Sequence, residues 1–305
     1  DMHLLIDGIQ LTPRPKIITV EHNSPDAKVR ILEQYLKDEK TNASIRSIAK
    51  KLLNPALLFH CKTAEKIRHK KLYNMSDKYV ILSESYKHIL EEIIQRKDQE
   101  KVTTIPNSIK GEATARSSTL YQKEKIILYV GRLEYGQKRV DRLLKIWQRI
   151  QHDNKDWRLI LVGDGPNRQE LEHFVSKNRV NRVEFIGHSF SVVEYYKKSS
   201  VICLTSSIEG LPMILLESMN HGVVPIVYNS FSAATDVITH EHDGLLVRPF
   251  ESTEYKNGLQ KLLQDQPFRE RLAENATLSA RRFHSASVFP KWKTLISEIN
   301  NEIEQ

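Results

Sequence analysis

From Lys125 onward, short apolar runs alternate with amphipathic stretches of about 10–15 residues. No other feature limits the fold as strongly. Ile126–Val130 reads as a buried strand followed by Gly131. Further strands are expected at Arg158–Val162, Val183–Ile186, Val201–Leu204, Val223–Val227 and Gly244–Val247. Between them Arg139–Ile150 carries helical spacing through Val140, Leu143, Leu144 and Trp147. Asn167–Ser176, Val192–Lys197, Met213–Asn220, Thr253–Gln264 and Phe268–Ala280 complete the helical series. Such a series predicts βαβ units and a parallel sheet. Ligands of open parallel sheets bind beyond the carboxyl ends of the strands, so function is sought in the turns that follow them.

The 305 residues suffice for two domains. Ahead of Lys125 the pattern is less regular, with strands expected at Lys16–Val20, Tyr79–Leu82 and Lys101–Ile105. The small, polar, aperiodic stretch Gly111–Thr119 reads as a linker. The expected organisation is a first domain over 1–112, a linker over 113–124, a second domain over 125–288 and a terminal helix over 289–305 that returns to the first domain. At 40% hydrophobic and 28% charged residues the composition is that of a globular chain. Its longest apolar runs are far too short to span a bilayer. The opening Asp1-Met-His-Leu-Leu-Ile-Asp7 lacks a basic segment ahead of a long apolar one, so no signal peptide is expected. Two cysteines, Cys61 and Cys203, give no disulfide framework, which points to a reducing cytoplasm.

The net charge of +8 is uneven. Between Arg46 and Lys71 stand Arg46, Lys50, Lys51, Lys62, Lys66, Arg68, Lys70 and Lys71 against Glu65 alone. Ile45, Ile48, Ala49, Leu52 and Leu53 form an apolar stripe among them. A basic amphipathic segment of this kind suits an anionic membrane surface, and equally a domain helix with its charges in water. No nucleic-acid motif accompanies the charge, so no nucleic-acid partner is expected.

Two turns concentrate chemistry. In Gly131-Arg-Leu-Glu-Tyr-Gly-Gln-Lys138 the cations Arg132 and Lys138 flank a polar turn at the carboxyl edge of the sheet. Two such charges stabilise a diphosphate leaving group as its charge develops. In Thr205-Ser-Ser-Ile-Glu209-Gly-Leu-Pro-Met213 a carboxylate precedes a Gly/Pro turn, and Glu217 follows on the helix. Gly210 permits close backbone approach, and Pro212 suits the first helical position. The helix N-terminus beyond it suits a phosphate. Glu217 falls roughly 7 Å further along the axis, beside the other end of such a ligand. Gly163-Asp-Gly-Pro166 resembles a nucleotide-contacting loop and is also ordinary turn chemistry. His240-Glu-His242 lacks a third ligand at a sensible spacing and reads as a polar turn, and His60 and Cys61 read as structural. His22, after the first strand, could face a cleft or simply bond its own loop.

The combination of Val130-Gly-Arg-Leu133 with Lys138, Val162-Gly-Asp-Gly-Pro166, Phe185-Ile-Gly187, Tyr195-Tyr-Lys-Lys-Ser-Ser200, Glu209-Gly-Leu-Pro-Met213 through Glu217, and Asp243-Gly-Leu-Leu-Val247 resembles glycosyltransferase family 4. The resemblance implies a GT-B fold: α/β, with two Rossmann-like doubly wound parallel-sheet domains facing a cleft. It implies a retaining, metal-independent transfer of a hexose or N-acetylhexosamine. The donor would be a nucleotide diphosphate sugar, UDP-sugar favoured, and the acceptor a lipid-linked or oligosaccharide one in surface polysaccharide assembly. Arg132 and Lys138 would hold the diphosphate, with Gly131 and Gly163 beside them. Glu209 would lie by the donor sugar and Glu217 would bind the ribose. The backbone of Gly210, Leu211, Pro212 and Met213 would contact sugar and phosphate. The stretch from Phe185 to His188 would lie near the base and His22 near the reacting centre. Family members open with a strand and a Gly-rich loop, whereas this chain opens on what resembles a later strand. The first domain is therefore expected to be incomplete. A nucleotide-sugar-binding fragment without turnover, or an epimerase of the same fold, are the alternatives. Asp236 stands where the family often has Glu.

Overall fold

The computed structural model describes residues 15–38, 45–97, 100–110 and 123–301. The chain divides into two compact units. One holds the described residues up to Pro106 together with those from Val288 onward, and the other runs Asn107–Ser287.

In the first unit β1 (Ile18–Glu21), β2 (Lys78–Ile81) and β3 (Val102–Thr104) form a parallel sheet in the order β1-β2-β3. Thr19 pairs with Tyr79, and Tyr79 with Val102. Between the strands lie α1 (Ala27–Asp38), the long α2 (Ile45–Met75) and α3 (Ser85–Ile94). The basic window found in the sequence is this second helix. Its side chains from Asn54 onward are described, so the stripe Ile45–Leu53 lies outside the described side chains. The linker Gly111–Thr119 and the opening heptapeptide also lie outside the described residues. Helix α11 (Ser285–Asn301) packs Val288, Leu295 and Ile299 against Val80 and Ile105.

In the second unit β4 (Glu124–Val130), β5 (Arg158–Val162), β6 (Val183–Gly187), β7 (Ser199–Leu204), β8 (Val224–Tyr228) and β9 (Leu245–Val247) form one parallel sheet. Its order is β6-β5-β4-β7-β8-β9. Counted from β4 this is 3-2-1-4-5-6, the order of doubly wound nucleotide-binding sheets. β7 and β8 are buried along their length, as inner strands of a sheet covered on both faces require. The helices are α4 (Val140–Ile150), α5 (Arg168–Lys177), α6 (Val193–Lys198), α7 (Met213–Asn220), α8 (Ala234–Val237), α9 (Ser252–Gln264) and α10 (Gln266–Ala280). α4 buries Val140, Leu143, Leu144, Ile146, Trp147 and Ile150 against the sheet. The Trp147 indole donates to the Asn181 carbonyl at 2.9 Å, which satisfies its one polar atom in the core. Asp265 caps α10 through the Phe268 N–H at 2.9 Å.

The expected strands and helices of both units are present, with ends displaced by a residue or two. Pro212 is the N-cap of α7, with ψ 105°, and not its first helical residue. Arg139 is likewise outside α4, in a left-handed conformation at φ 53°. Both passages of the chain across the edge of this unit lie side by side. The Ile109 N–H donates to the Phe283 carbonyl at 2.9 Å, and the Ser285 hydroxyl donates to the Ile109 carbonyl at 3.3 Å.

Candidate functional site

The strand order reverses between β4 and β7, which places the switch point of the sheet at their carboxyl ends. The turn after β4 carries Arg132 and Lys138, and the turn after β7 carries Glu209. The two turns are stitched together by both backbone and side chains. The Ser207 N–H donates to the Gln137 carbonyl at 2.8 Å, and the Gln137 amide donates to the Ile208 carbonyl at 3.0 Å. The Thr205 hydroxyl donates to the Arg139 carbonyl at 2.9 Å. Arg142, from α4, donates to the Thr205 carbonyl at 3.3 Å and to the Ser207 hydroxyl at 3.1 Å. Its guanidinium lies 4.1 Å from the centre of the Phe250 ring. A third turn joins through the Ser230 hydroxyl, which donates to the Ser206 carbonyl at 2.7 Å.

This scaffold brings Lys138 and Glu209 into contact. The ammonium donates to both carboxylate oxygens, at 2.7 and 2.8 Å. Glu209 is nearly buried, and the Ser206 hydroxyl donates to its Oε1 at 2.6 Å. A bidentate cation and a hydroxyl donor satisfy the oxygens of this buried carboxylate without water. Beneath the pair, the Tyr129 hydroxyl donates to the Arg132 carbonyl at 2.9 Å. Burial raises that phenol well above its usual range, and Glu209 and Glu134 add to the effect.

Arg132 is placed differently. Its side chain is 66% exposed and reaches Glu134 at 3.4 Å. It shares the turn with Lys138 and does not join the Lys138–Glu209 pair. α7 begins at Met213, and no side chain caps its amino end. That end therefore still offers backbone N–H donors to an anion. Leu211 and Pro212 are buried, so only the backbone of this segment is suited to a ligand. Glu217 stands on α7, half-buried, and burial raises its carboxyl above the usual range. Its Oε2 accepts from the Tyr196 hydroxyl at 3.1 Å, which favours the ionised form.

The glycines serve the packing of turn on turn. A Cβ on Gly163 would meet the Gly131 carbonyl oxygen at 2.0 Å, and one on Gly165 would meet that of Leu133 at 2.4 Å. The Leu133 N–H donates to the Asp164 carbonyl at 2.9 Å, and the Asn167 N–H to the Leu133 carbonyl at 3.1 Å. The Gly-Asp-Gly-Pro motif thus seats the turn after β5 against the turn after β4. Gly163 is also joined to the carboxyl end of β6, donating its N–H to the Gly187 carbonyl at 2.8 Å. Beyond that strand the His188 ring meets Phe190 edge-on at 4.9 Å, and Phe190 is fully exposed. His240 and His242 hold their own turn. The Leu246 N–H donates to His240 Nδ1 at 3.1 Å, and Asn275 lies 2.9 Å from His242 Nδ1.

In the first unit His22 is exposed just beyond β1. Behind its turn His69 is fully buried, with Nε2 3.0 Å from the Pro25 carbonyl oxygen and Nδ1 3.1 Å from the Tyr79 hydroxyl. Burial lowers its pKa, and Arg68 lowers it further. Arg68 itself bridges Glu65 at 2.8 Å and Glu21 at 3.3 Å.

Sequence reasoning missed Tyr196, Ser206, Gln137 and Arg142. Tyr196, Gln137 and Arg142 act on residues of another turn or element, and no local spacing marks such a pair, whereas Ser206 bonds Glu209 three residues on in the same turn. Tyr195-Tyr196 stood out only as part of a longer motif.

A family model described as glycosyl transferases group 1 matches residues 111–279. A Campylobacter jejuni protein is 31% identical over 229 residues, covering 75% of this chain and 62% of that protein. It is named as an alpha-1,4-N-acetyl-D-galactosaminyltransferase of a diNAcBac-PP-undecaprenol-linked GalNAc disaccharide. The amylovoran biosynthesis glycosyltransferase AmsD of Erwinia amylovora is 28% identical, covering 74% of this chain and 63% of that protein. The chain thus spans less than two thirds of the length of either relative. The crystal structure of Anabaena HepE in complex with UDP superposes with a TM-score of 0.72 at 16% identity, covering 94% of this chain and 73% of that one. The fold is GT-B, and the chain belongs to the glycosyl transferases group 1 family.

Proposed function

We propose that the protein is a retaining glycosyltransferase. It would move a hexose or N-acetylhexosamine from a nucleotide diphosphate sugar, UDP-sugar favoured, to a lipid-linked or saccharide acceptor in surface polysaccharide assembly. The observation that carries this reading is the Lys138–Glu209 pair at the switch point of the sheet, with Glu217 on the helix that follows. The name of the Campylobacter jejuni relative supports the choice of acceptor, because it names an undecaprenol-linked saccharide. The UDP in the HepE structure supports the choice of donor.

In this reading the diphosphate lies over the uncapped amino end of α7. Two hydrogens of the Lys138 ammonium are engaged by Glu209, and the third donates to phosphate. Arg132, on the same turn, adds charge from the solvent side. The bond from the anomeric carbon to the leaving phosphate oxygen breaks as an acceptor oxygen attacks from the same face. The acceptor proton passes to the departing phosphate, and the cations and helix dipole stabilise the charge that develops there. Glu209 accepts from a hydroxyl of the sugar, and Glu217 from the ribose. His22 is assigned to the reacting centre on the family resemblance.

The acceptor's chemistry suits a bilayer, and α2 suits it too. Leu57, Phe59 and Ile67 are exposed on the helix that carries Lys62, Lys66 and Lys70. Exposed apolar side chains among cations fit an anionic lipid surface. The protein is proposed to work there from the cytoplasmic side. Among the described residues no helix is long and apolar enough to cross a membrane.

Thermal denaturation against UDP, GDP and ADP tests the donor site. A ligand at a hundred times its Kd stabilises by about 2.7 kcal/mol. UDP is expected to raise the Tm, and Lys138→Ala and Glu217→Ala to abolish the rise. Nucleotides that leave the Tm unmoved, or variants that respond like the wild type, would refute the assignment.

A further inference from the structure

We propose that Tyr196 is a positioning residue for the nucleoside end of the donor, holding Glu217 so that its second oxygen meets the ribose diol. This rests on the nucleotide-sugar reading of the site and adds a residue to it.

The phenol is fixed at three points. Its ring is 1% exposed and packs against His221 with centroids 5.9 Å apart and planes at 19°. Its backbone carbonyl accepts from the Lys123 ammonium at 2.6 Å, ahead of the first residue of β4. Its hydroxyl donates to Glu217 Oε2 at 3.1 Å. α6 and α7 therefore meet through a side chain that has no room to turn. No described residue donates to Glu217 Oε1. One carboxylate oxygen is thus committed to the protein, and the other retains its lone pairs.

The chemistry of that arrangement is selective. A carboxylate half-buried on a helix is costly to ionise, as the raised Glu217 carboxyl indicates. A hydroxyl donor on one oxygen offsets part of that cost, because it favours the charged form. The remaining oxygen then accepts from neutral donors, and the vicinal hydroxyls of a ribose supply two side by side. Phosphate would be repelled there. The pairing of Tyr196 with Glu217 accordingly recognises a nucleoside diphosphate by its intact diol, independently of the base.

The test compares UDP with 2′,3′-dideoxy-UDP by calorimetry on the full chain. Tyr196→Phe keeps the ring, so folding should persist, and its ligand-free Tm checks this. The wild type is expected to prefer UDP. Tyr196→Phe should weaken UDP about ten-fold, the scale of one hydrogen bond to a charged group, and change the dideoxy analogue less than two-fold. An equal loss for both ligands would mean a merely structural tyrosine. An unchanged UDP affinity would likewise overturn the proposal. Glu217→Gln separates this inference from the reading beneath it. If that variant still prefers UDP to the dideoxy analogue as the wild type does, the assignment of Glu217 to ribose fails, whatever Tyr196 does. If the wild type binds neither ligand, both ideas fall.

Discussion

Lys138 and Glu209 illustrate how one pair of side chains can serve stability and binding at once. Glu209 is nearly buried and holds the ammonium with both oxygens, so removing either partner strands the other charge. Lys138→Met alone is expected to cost on the order of 3 kcal/mol in urea denaturation, the range for breaking a covered ion pair. Adding Glu209→Gln should return part of that loss, because no charge is then left uncompensated. UDP binding should stay lost in the double variant. Recovery of binding together with stability would show that the pair is architecture alone. A double variant no more stable than the single one would show that the two side chains are not coupled.

At the scale of elements, the turns are what the sequence specifies least visibly and the site needs most. Gly163 sits at φ 136° with the Gly131 carbonyl where a Cβ would go. Gly163→Ala is expected to destabilise by about 3 kcal/mol or more, from backbone strain together with overpacking. Gly136 has nothing within 4 Å of its would-be Cβ, and Gly136→Ala should shift stability by no more than about 0.5 kcal/mol. Equal melting temperatures for the two variants would contradict this account of how the turns pack. The strands were legible because apolar runs end at Gly131, Gly163 and Gly187. The α4 boundary was less so, since Arg139 adopts a left-handed conformation with no glycine to announce it. β7 begins at two serines, which periodicity does not mark as strand. Ser200 is admitted because its hydroxyl donates to the Glu124 carbonyl at 2.6 Å. Lys138 and Glu209 were readable as chemistry, but their contact spans 71 positions and only the sheet order brings them together. Tyr196 was illegible for the same reason, because its partner lies 21 residues away on another helix.

For the molecule as a whole, the first unit turns an unusual face to solvent. Phe59, the most exposed of the described apolar side chains on α2, is 73% accessible among lysines. The protein is expected to sediment with phosphatidylglycerol vesicles and not with phosphatidylcholine vesicles, and added salt should release it. Phe59→Ser combined with Ile67→Ser should weaken that binding about ten-fold, the order expected for lost apolar burial. Equal affinity for neutral vesicles, or none for anionic ones, would remove the membrane from the proposal. The second unit has its own seam, where Ile109 is bonded to Phe283 and Ser285. Anyone excising that unit must therefore carry Asn107–Lys110 along with it. A shorter cut would orphan the Phe283 carbonyl and uncover Ile109's socket, turning a closed hem into a raw margin open to stray strands.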